Sequence, residues 1–292
     1  MPCFHPIQAF RDSSGALFFW HKAGTDQSLM LPCGQCVGCR LERSRQWAAR
    51  CMNEAALHPL NCFVTLTYKD APPSLCYRDF QLFMKRLRKQ FKGVRFYMCG
   101  EYGEEGGRPH YHALLFGMDF PDKYRWRKSN GIQTYRSQKL EDLWQLGHCE
   151  IGAVTFESAA YVARYVMKKI TGDAALDHYA YGVDEDTGEV LTRVPEFCHM
   201  SLKPGIGAGW LERFGSDVYP HGKMVVRGVE SKPPRYYDKV FRRFDRKKYE
   251  DMVLDRGAFI TSEQHAEGSA ERLRVRELVT EARIGALKRN KF

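Results

Sequence analysis

Near the middle of the chain stands the stretch His110-Tyr111-His112-Ala113-Leu114-Leu115-Phe116. The pattern predicts a β-strand. Side chains two residues apart on a strand point the same way, so His110 and His112 lie side by side while Tyr111 faces the opposite side. The stretch therefore predicts a strand that presents two imidazoles on one face.

The preceding sequence predicts the neighbours of this strand. Residues 62–68 alternate large apolar side chains with threonines, which is typical of a core strand, and a Pro-Pro turn follows at 72–73. Residues 94–99 predict a second strand, and a glycine-rich loop at 103–107 leads from it into 110–116. These features indicate an antiparallel hairpin with a long loop.

Helical patterns alternate with the strands. One amphipathic helix has an apolar face and a basic face. The apolar residues recur at helical spacing and are Phe80, Phe83, Met84, Leu87 and Phe91. A short helix near 139–146, a strand near 149–155 and a helix from about 157 to 170 follow. The order predicts an α+β fold with a central antiparallel sheet and flanking helices.

Three segments are expected along the chain. Residues 1–60 hold a cysteine cluster, residues 61–230 hold the α+β domain, and residues 231–292 form a basic helical C-terminal extension. The boundary near 230 is suggested by Lys232-Pro233-Pro234. The part from 172 to 236 is rich in glycine, proline and turn residues, and its elements are not assigned.

The charge of the chain favours a polyanionic partner. The formal net charge is +10, and residues 221–292 carry 18 Lys and Arg against 11 Asp and Glu. Clustered cations release counterions from a phosphate backbone, so nucleic acid is preferred over an acidic membrane. Neither a charged leader with an apolar run nor a long apolar stretch occurs in the sequence, which favours a cytoplasmic protein without a membrane partner.

A basic cluster in the last segment is a candidate DNA-binding surface. Its cations are Arg242, Arg243, Arg246, Lys247 and Lys248. Tyr236, Tyr237 and Phe241 are interleaved with them and could stack on bases. The alternative is an ordinary solvated helix face.

The two histidines form a candidate metal site with Glu101. If 94–101 pairs antiparallel with 110–116, the Glu101 carboxylate can reach the point on which His110 and His112 converge. Two imidazoles and one carboxylate leave positions open for substrate oxygens. The alternative is a pair of hydrogen-bonded strand histidines; a histidine-triad hydrolase is set aside because Leu114 stands where that family needs a third histidine.

Two tyrosines share a helix face in the segment 157–170. Val162, Ala163, Val166 and Ile170 form its apolar stripe, and Tyr161, Tyr165 and Lys168 lie together beside that stripe. A phenol has a pKa of about 10, so it needs a neighbouring cation or metal to act as a nucleophile at neutral pH. The alternative is that both tyrosines are half-buried packing residues.

A cysteine cluster near the N-terminus has the spacing of a zinc site. Cys33, Cys36 and Cys39 are separated by two residues each, and the fourth ligand has to come from elsewhere. Cys3, Cys51 and Cys198 are candidates, and Cys51 completes the predicted set. Free thiols are the main alternative, and an iron–sulfur cluster is less favoured because residues 40–43 contain no fourth cysteine.

Three motifs occur in a characteristic order: Phe-Val-Thr-Leu-Thr at 63–67, His-Tyr-His at 110–112 and Tyr-Val-Ala-Arg-Tyr-Val-Met-Lys-Lys at 161–169. The chain resembles the HUH endonucleases, and specifically the rolling-circle replication initiators of small single-stranded DNA phages of the microvirus and gokushovirus type. The stretches at 33–40 and 203–207 are similar to that group as well. One departure is Tyr111, which stands where the family usually has an aliphatic residue.

The resemblance implies a ferredoxin- or RRM-like nuclease fold and a set of residue roles. Glu101, His110 and His112 would hold Mg²⁺ or Mn²⁺, Tyr161 or Tyr165 would attack a DNA phosphate, and Lys168 or Lys169 would stabilise charge. The expected partners are single-stranded and origin duplex DNA together with a bacterial host's helicase and DNA polymerase. No Gly-Lys-Ser/Thr phosphate loop supplies a helicase of the chain's own.

A second function is also consistent with the sequence. The chain could be a non-catalytic, zinc-containing nucleic-acid-binding protein whose tyrosines are structural.

Overall fold

A computed structural model describes residues 3–25, 27–103, 107–129, 131–165, 173–183, 187–219, 221–258 and 266–286. The chain divides into two compact units. The first comprises the described residues of Met1–Arg43 and Lys247–Asn290, and the second those of Ser44–Arg246. This division differs from the three expected segments, because the two ends of the chain share one unit. No helix in the described ranges is both long and apolar enough to cross a membrane.

The first unit contains a small antiparallel sheet and helices. Its strands are β1 (Ile7–Arg11), β2 (Leu17–Phe18) and β3 (Gln27–Leu31), with β1 in the middle. This sheet was not predicted from the sequence. Helix α1 (Val37–Ala55) begins in this unit, and its residues from Ser44 onward belong to the second.

The second unit is built on a seven-stranded antiparallel sheet in the order β12-β5-β6-β4-β9-β8-β7. The strands of this sheet are β4 (Asn61–Thr67), β5 (Arg95–Tyr102), β6 (Pro109–Phe116), β7 (Tyr124–Ser129), β8 (Ile132–Arg136), β9 (Cys149–Gly152) and β12 (Phe197–Met200). Two small hairpins accompany it: β10 (Ala180–Val183) with β11 (Val190–Thr192), and β13 (Met224–Val226) with β14 (Val229–Ser231).

The helices that follow α1 have these bounds: α2 (Tyr77–Gln90), α3 (Gln138–Trp144), α4 (Phe156–Tyr165), α5 (Ala174–Tyr179), α6 (Ala208–Phe214), α7 (Arg235–Phe244), α8 (Arg246–Ala258) and α9 (Ala270–Ala286). A short 3₁₀ turn covers Gly215–Asp217. The expected α+β class, with a central antiparallel sheet, flanking helices and helices toward the C-terminus, is confirmed.

Each face of the large sheet carries its own core. On one face α2 and α3 pack against strand residues such as Leu66 and Tyr111. On the other face α1 and α4 pack against strand residues such as Leu114 and Phe116. Because alternate strand residues face opposite sides, the buried residues of β6 divide between the two cores.

The predicted core elements exist, with bounds close to those expected, and the last part of the helix predicted for 157–170 lies outside the described residues. Strand β4 begins one residue earlier than predicted, and α2 ends just before Phe91, which packs partly buried beside the core. The hairpin β7–β8 and the edge strand β12 were not predicted. Their sequences lack a simple apolar alternation, since β7 carries exposed cations and aromatics, and β12 has only four residues.

The motif at 203–207 and helix α1 meet at a buried junction. The side chain of Arg50 donates to the Ile206 carbonyl at 3.0 Å, and the Gly207 amide donates to the buried Glu54 carboxylate at 2.7 Å. Gly207 has φ of +77°, and a Cβ there would meet the Tyr237 hydroxyl and lie 3.0 Å from the Arg50 carbonyl oxygen. The position therefore requires glycine both for its backbone and for space.

Replacing Gly207 with alanine should destabilise the second unit strongly. Gly228 is the matched control, because its φ of +76° imposes the same backbone strain but nothing lies within 4 Å of a Cβ there. Backbone strain alone costs about 1 kcal/mol, and overpacking at Gly207 adds about 2 kcal/mol. We expect Gly207→Ala to melt about 4–8 °C below Gly228→Ala in differential scanning calorimetry. Equal melting temperatures would contradict the close packing described at this junction.

Candidate active site

The register of β5, β6 and β4 places three ligand-type side chains on one face of the sheet. Glu101 on β5 pairs with His110 on β6, and His112 pairs with Cys99 on β5 and with Thr65 on β4. Alternation along β6 turns both imidazoles to the face that carries α1 and α4, while Tyr111 is buried on the other face. The predicted antiparallel pairing of residues 94–101 with 110–116 is confirmed.

The Glu101 carboxylate lies between the two imidazoles. Its Oε1 is 2.7 Å from His110 Nε2 and 2.8 Å from His112 Nε2. Its Oε2 is buried and has no hydrogen-bond partner among the described residues. Burial alone would raise the pKa of Glu101, and the hydrogen bonds from His110 and His112 outweigh that effect, so its pKa lies below the usual range.

The Nδ1 atoms of the two imidazoles contact groups other than Glu101. His112 Nδ1 lies 2.9 Å from the Thr65 hydroxyl, and His110 Nδ1 lies 3.0 Å from the Arg108 carbonyl oxygen. The Phe63 ring stacks on His112, with 5.5 Å between ring centroids. These contacts orient both Nε2 atoms toward Glu101, which is how second contacts of histidine ligands fix a metal site.

The Arg108 carbonyl constrains the protonation of His110. A carbonyl oxygen only accepts hydrogen bonds, so His110 Nδ1 carries the proton. A neutral His110 then directs its Nε2 lone pair at the Glu101 oxygen, and two acceptors 2.7 Å apart repel unless a proton or a cation lies at that point. The group Glu101, His110 and His112, whose ligand atoms lie within 4.8 Å of one another, is therefore arranged for a positive charge at its centre.

Helix α4 brings Tyr161 to this group. The helix starts in a reciprocal capping arrangement, in which Thr155 and Ser158 each bond the other's backbone amide through the side-chain oxygen. Its apolar face, with Val162 and Ala163 fully buried, packs on the sheet. The Tyr161 ring then contacts the His112 ring edge-on at 5.1 Å between centroids, and its hydroxyl donates to Glu101 Oε1 at 3.4 Å.

The remaining residues expected in this site are not described to the same extent. Tyr165 is the last residue of α4, and its side chain lies outside the described part of the structure. Lys168 and Lys169 both fall in 166–172, which lies outside the described residues. Their roles remain predictions.

Sequence reasoning missed the groups that orient the histidines. Thr65 belongs to the quoted strand motif at 63–67, but the motif gave it no role. The signal was available, because alternate residues of a strand beside a His-x-His strand share its face. The contribution of the Arg108 carbonyl, by contrast, depends on backbone geometry that no sequence pattern specifies.

The cysteine cluster in the first unit has a different fourth member from the one predicted. Cys3, Cys33, Cys36 and Cys39 bring their sulfur atoms within 4.8 Å of one another. Cys51, which completed the predicted set, is fully buried in the core between α1, α4 and the large sheet. That assignment was wrong because Cys51 is three helical turns beyond Cys39 on α1, whereas Cys3 follows no local spacing rule.

In the basic cluster near the C-terminus the cations are exposed, whereas the aromatic residues contact other side chains of the protein. Arg242, Arg243, Arg246, Lys247 and Lys248 are all exposed. The aromatic rings pack within the protein: Tyr237 stacks on Trp210, Phe241 stacks on Tyr219, and Tyr236 lies against the Arg50 guanidinium. The predicted stacking on bases is therefore wrong for the fully buried Tyr237, while stacking by the partly buried Tyr236 and Phe241 and phosphate binding by the cations stay predictions.

Comparison with known proteins places the chain. A family model described as replication-associated protein ORF2/G2P matches residues 61–170, which contain the whole site. Replication-associated protein VP4 of Bdellovibrio phage phiMH2K is 31% identical over 283 residues, covering 91% of this chain and 85% of that protein. Replication-associated protein ORF2 of Spiroplasma virus 4 is 30% identical, covering 87% of this chain and 84% of that protein.

A further relative is replication-associated protein ORF4 of Chlamydia phage 1, which is 28% identical over 229 residues, 74% of this chain and 54% of that protein. No solved structure matches the chain. Since the similarity to phage proteins extends over nearly the full chain, and the family match contains Glu101, His110, His112 and Tyr161, the chain belongs to the replication-associated proteins of microvirus- and gokushovirus-like phages.

Proposed function

We propose that this replication protein is a metal-dependent endonuclease that nicks one DNA strand at a phage origin and later rejoins it. The observation that carries the proposal is the position of the Tyr161 hydroxyl, 3.4 Å from the carboxylate oxygen on which His110 and His112 converge. A phenol in that position can share an ion site with a bound phosphate.

Glu101, His110 and His112 fit a divalent cation such as Mg²⁺ or Mn²⁺. Both Nε2 atoms face one carboxylate, the second carboxylate oxygen is buried without a partner in the described structure, and the proton on His110 Nδ1 leaves its Nε2 available as a ligand. Three protein ligands leave coordination positions for phosphate oxygens and water. A divalent cation bound there would act as a Lewis acid on the scissile phosphate.

Tyr161 is the proposed nucleophile. Its phenolic oxygen forms a bond to phosphorus while the bond from phosphorus to the 3′ oxygen of the preceding nucleotide breaks. The phenolic proton passes to solvent, and the departing 3′ oxygen takes up a proton. The products are a 5′-phosphotyrosine and a 3′-hydroxyl that can prime rolling-circle synthesis.

Rejoining is the same exchange in reverse. A 3′-hydroxyl attacks the phosphotyrosine, and the Tyr161 phenol is released. Because the phosphodiester energy is kept in the covalent intermediate, joining needs no nucleotide cofactor. Tyr165, one helical turn further along, is the proposed second nucleophile, and Lys168 or Lys169 is proposed to stabilise phenolate or phosphate charge.

The proposed partners follow from this chemistry. The protein would act on single-stranded DNA and on origin duplex DNA in the cytoplasm of a bacterial host. A host helicase would separate the strands, since the sequence has no phosphate-binding Gly-Lys-Ser/Thr loop, and a host polymerase would extend the 3′-hydroxyl.

One alternative rests on the cysteine cluster of the first unit. A non-catalytic, zinc-containing nucleic-acid-binding protein would also have four clustered thiols and a basic surface. It would not require a tyrosine hydroxyl beside a His-His-Glu group, and it would form no covalent bond to DNA.

The nuclease proposal predicts a covalent adduct that depends on Tyr161. Incubation with a labelled single-stranded origin oligonucleotide and Mn²⁺ should give a shifted band on a denaturing gel. In the Tyr161→Phe/Tyr165→Phe variant, loss of both nucleophiles should reduce adduct formation by more than about a thousandfold. Tyr161→Phe alone shows how much Tyr165 contributes.

Tyr181→Phe is the matched control, because that tyrosine is exposed on β10. It should form the adduct as the wild type does. No adduct from wild type would support the non-catalytic alternative, and an undiminished adduct from the double variant would show that neither tyrosine is the nucleophile.

The hydroxyl of Thr65 should matter for metal affinity although it touches no metal. In Thr65→Val, His112 Nδ1 loses its partner at 2.9 Å, and Mn²⁺ binding should weaken by about 10- to 100-fold. Thr65→Ser keeps the hydroxyl and should retain most of the affinity. Electron paramagnetic resonance titration of free Mn²⁺ measures both variants; equal affinities for them would show that the hydroxyl does not orient His112.

A further inference from the structure

Four thiols of the first unit form a group of the size that one tetrahedral ion requires. The sulfur of Cys3 lies 3.7 Å from that of Cys33, which lies 4.0 Å from that of Cys39. Together with Cys36, all sulfur atoms lie within 4.8 Å of one another. A tetrahedral zinc ion with bonds of about 2.3 Å separates its sulfur ligands by about 3.8 Å.

Backbone amides donate hydrogen bonds to three of these sulfurs. The Phe4 amide donates to the Cys36 sulfur, the Cys33 amide donates to the Cys3 sulfur, and the Cys36 amide donates to the Cys33 sulfur, each at 3.3 Å. Amide donors stabilise negative charge on sulfur, which is the form that binds metal. Cys36 also precedes the first residue of α1, where the helix dipole favours negative charge.

The geometry distinguishes a site for one ion from a disulfide and from an iron–sulfur cluster. A disulfide joins sulfurs at about 2.05 Å, far shorter than the 3.7 Å and 4.0 Å separations here. In a [4Fe–4S] cluster each thiolate binds a different iron, and in a [2Fe–2S] cluster two thiolates bind each iron, so either cluster spreads the four sulfurs more widely than a single ion does. Four unliganded thiolates so close together would repel one another.

We propose that Cys3, Cys33, Cys36 and Cys39 bind one structural zinc ion. Four cysteine ligands close the coordination sphere, so the ion has no open position for substrate. Its effect is to tie residue 3 to the loop after β3 and to the start of α1. This site is separate in composition from the Glu101, His110 and His112 group, which offers nitrogen and oxygen ligands only.

Metal analysis of the purified full chain tests the zinc site. We expect close to one zinc ion per chain by plasma mass spectrometry after dialysis, and a marked loss of zinc in Cys3→Ser and Cys36→Ser. Cys76→Ser is the matched control, because Cys76 is an exposed thiol outside the cluster, and His112→Ala should also retain zinc. Wild type free of zinc, or zinc content unchanged in both cluster variants, would overturn the proposal.

Cobalt substitution keeps the test decisive if a cysteine variant fails to fold. Wild type loaded with Co²⁺ should show the thiolate-to-cobalt charge-transfer bands and the intense visible bands of tetrahedral sulfur coordination. Binding of Co²⁺ without charge-transfer bands would overturn the site. Iron in place of zinc in the metal analysis would overturn the choice of metal. Neither outcome bears on adduct formation, so the nuclease proposal stands or falls separately.

A second, independent observation concerns the hairpin β7–β8 at the edge of the large sheet. Tyr124 and Trp126 on β7 are 53% and 51% exposed, which is unusual for large rings on a strand. Arg125 lies between them and Lys128 lies two residues after Trp126, and neither of these two cations has an acidic partner in the described structure. The pairing register shifts between Arg125 and Arg127, so Trp126 is the extra residue of a β-bulge.

Exposed rings alternating with cations match the chemistry of unpaired nucleic acid. Bases stack on aromatic side chains, and cations bind the phosphates between them. The Arg136 guanidinium lies 4.7 Å from the centre of the Trp126 ring and leaves the other face of that ring for a base. A duplex keeps its bases stacked inside, so it could use the cations but not the rings.

We infer that the β7–β8 hairpin binds single-stranded DNA, an inference that rests on the proposed function and deepens it. The sheet order puts β9 and β8 between β7 and β4, the strand beside His112. The hairpin would therefore hold the strand at a distance from the cleavage site.

Anisotropy titrations in EDTA test the hairpin without cleavage. With a labelled oligothymidine, Trp126→Ala should raise the Kd about tenfold. Arg125→Gln/Lys128→Gln should reduce the steepness of the slope of log K against log salt concentration by about 1.4. Trp20→Ala, which removes a ring that is 63% exposed, and Lys85→Gln/Lys92→Gln, which removes two exposed cations of the second unit, are the matched controls.

The outcomes distinguish a failure of the DNA-binding inference for the hairpin from a failure of the nuclease proposal. Unchanged affinity and salt dependence in both hairpin variants would overturn the inference, as would an equal loss of affinity for a duplex of the same length in Trp126→Ala. If the wild-type adduct still forms at saturating DNA, the proposed function survives that result. If no adduct forms while the hairpin variants lose affinity, the nuclease proposal fails and the DNA surface remains.

Discussion

The pairing register of β5 with β6 is the constraint on which the site depends. Glu101 faces the imidazoles only because it pairs with His110, and a slip of one residue would turn its side chain to the opposite face of the sheet. The register is held by the apolar residues between the polar ones. Tyr111 is buried on the far side against α2, and its hydroxyl accepts from the Cys76 amide at 2.9 Å, so a slip would expose a core residue and break that bond.

Burial determines what this group of side chains can do. A carboxylate that is 2% exposed is stable as an anion only when positive charge or hydrogen-bond donors surround it. The imidazoles provide that environment, and the Arg108 carbonyl fixes one of them in the tautomer that a metal ligand needs. In the proposed metal site the ligands would thus be ordered before a cation binds, and helix α4 adds the phenol from the same face. Preorganisation of this kind would lower the cost of aligning nucleophile and phosphate in the proposed reaction.

The sequence was sufficient to predict the strands and helices whose apolar residues recur with a regular period. The alternation in 62–68 and 110–116, together with the helical spacing from Phe80 to Leu87, led to the correct strands and helix, and the pairing of Glu101 with His110 followed from them. The parts it missed have no period to detect. The choice of Cys3 over Cys51 as fourth member of the thiol cluster depends on a contact across 30 residues, and the ring of Tyr237 looks available for DNA until its burial against Trp210 is known.

The central claim is that β5 and β6 build a His-His-Glu cation site beside Tyr161. The most direct measurement is a crystal structure of the full chain grown with Mn²⁺ and recorded near the manganese absorption edge. The account predicts one anomalous peak within coordination distance of Nε2 of His110, Nε2 of His112 and a carboxylate oxygen of Glu101. Anomalous density elsewhere, with both imidazoles still bonded directly to Glu101 at saturating Mn²⁺, would contradict it.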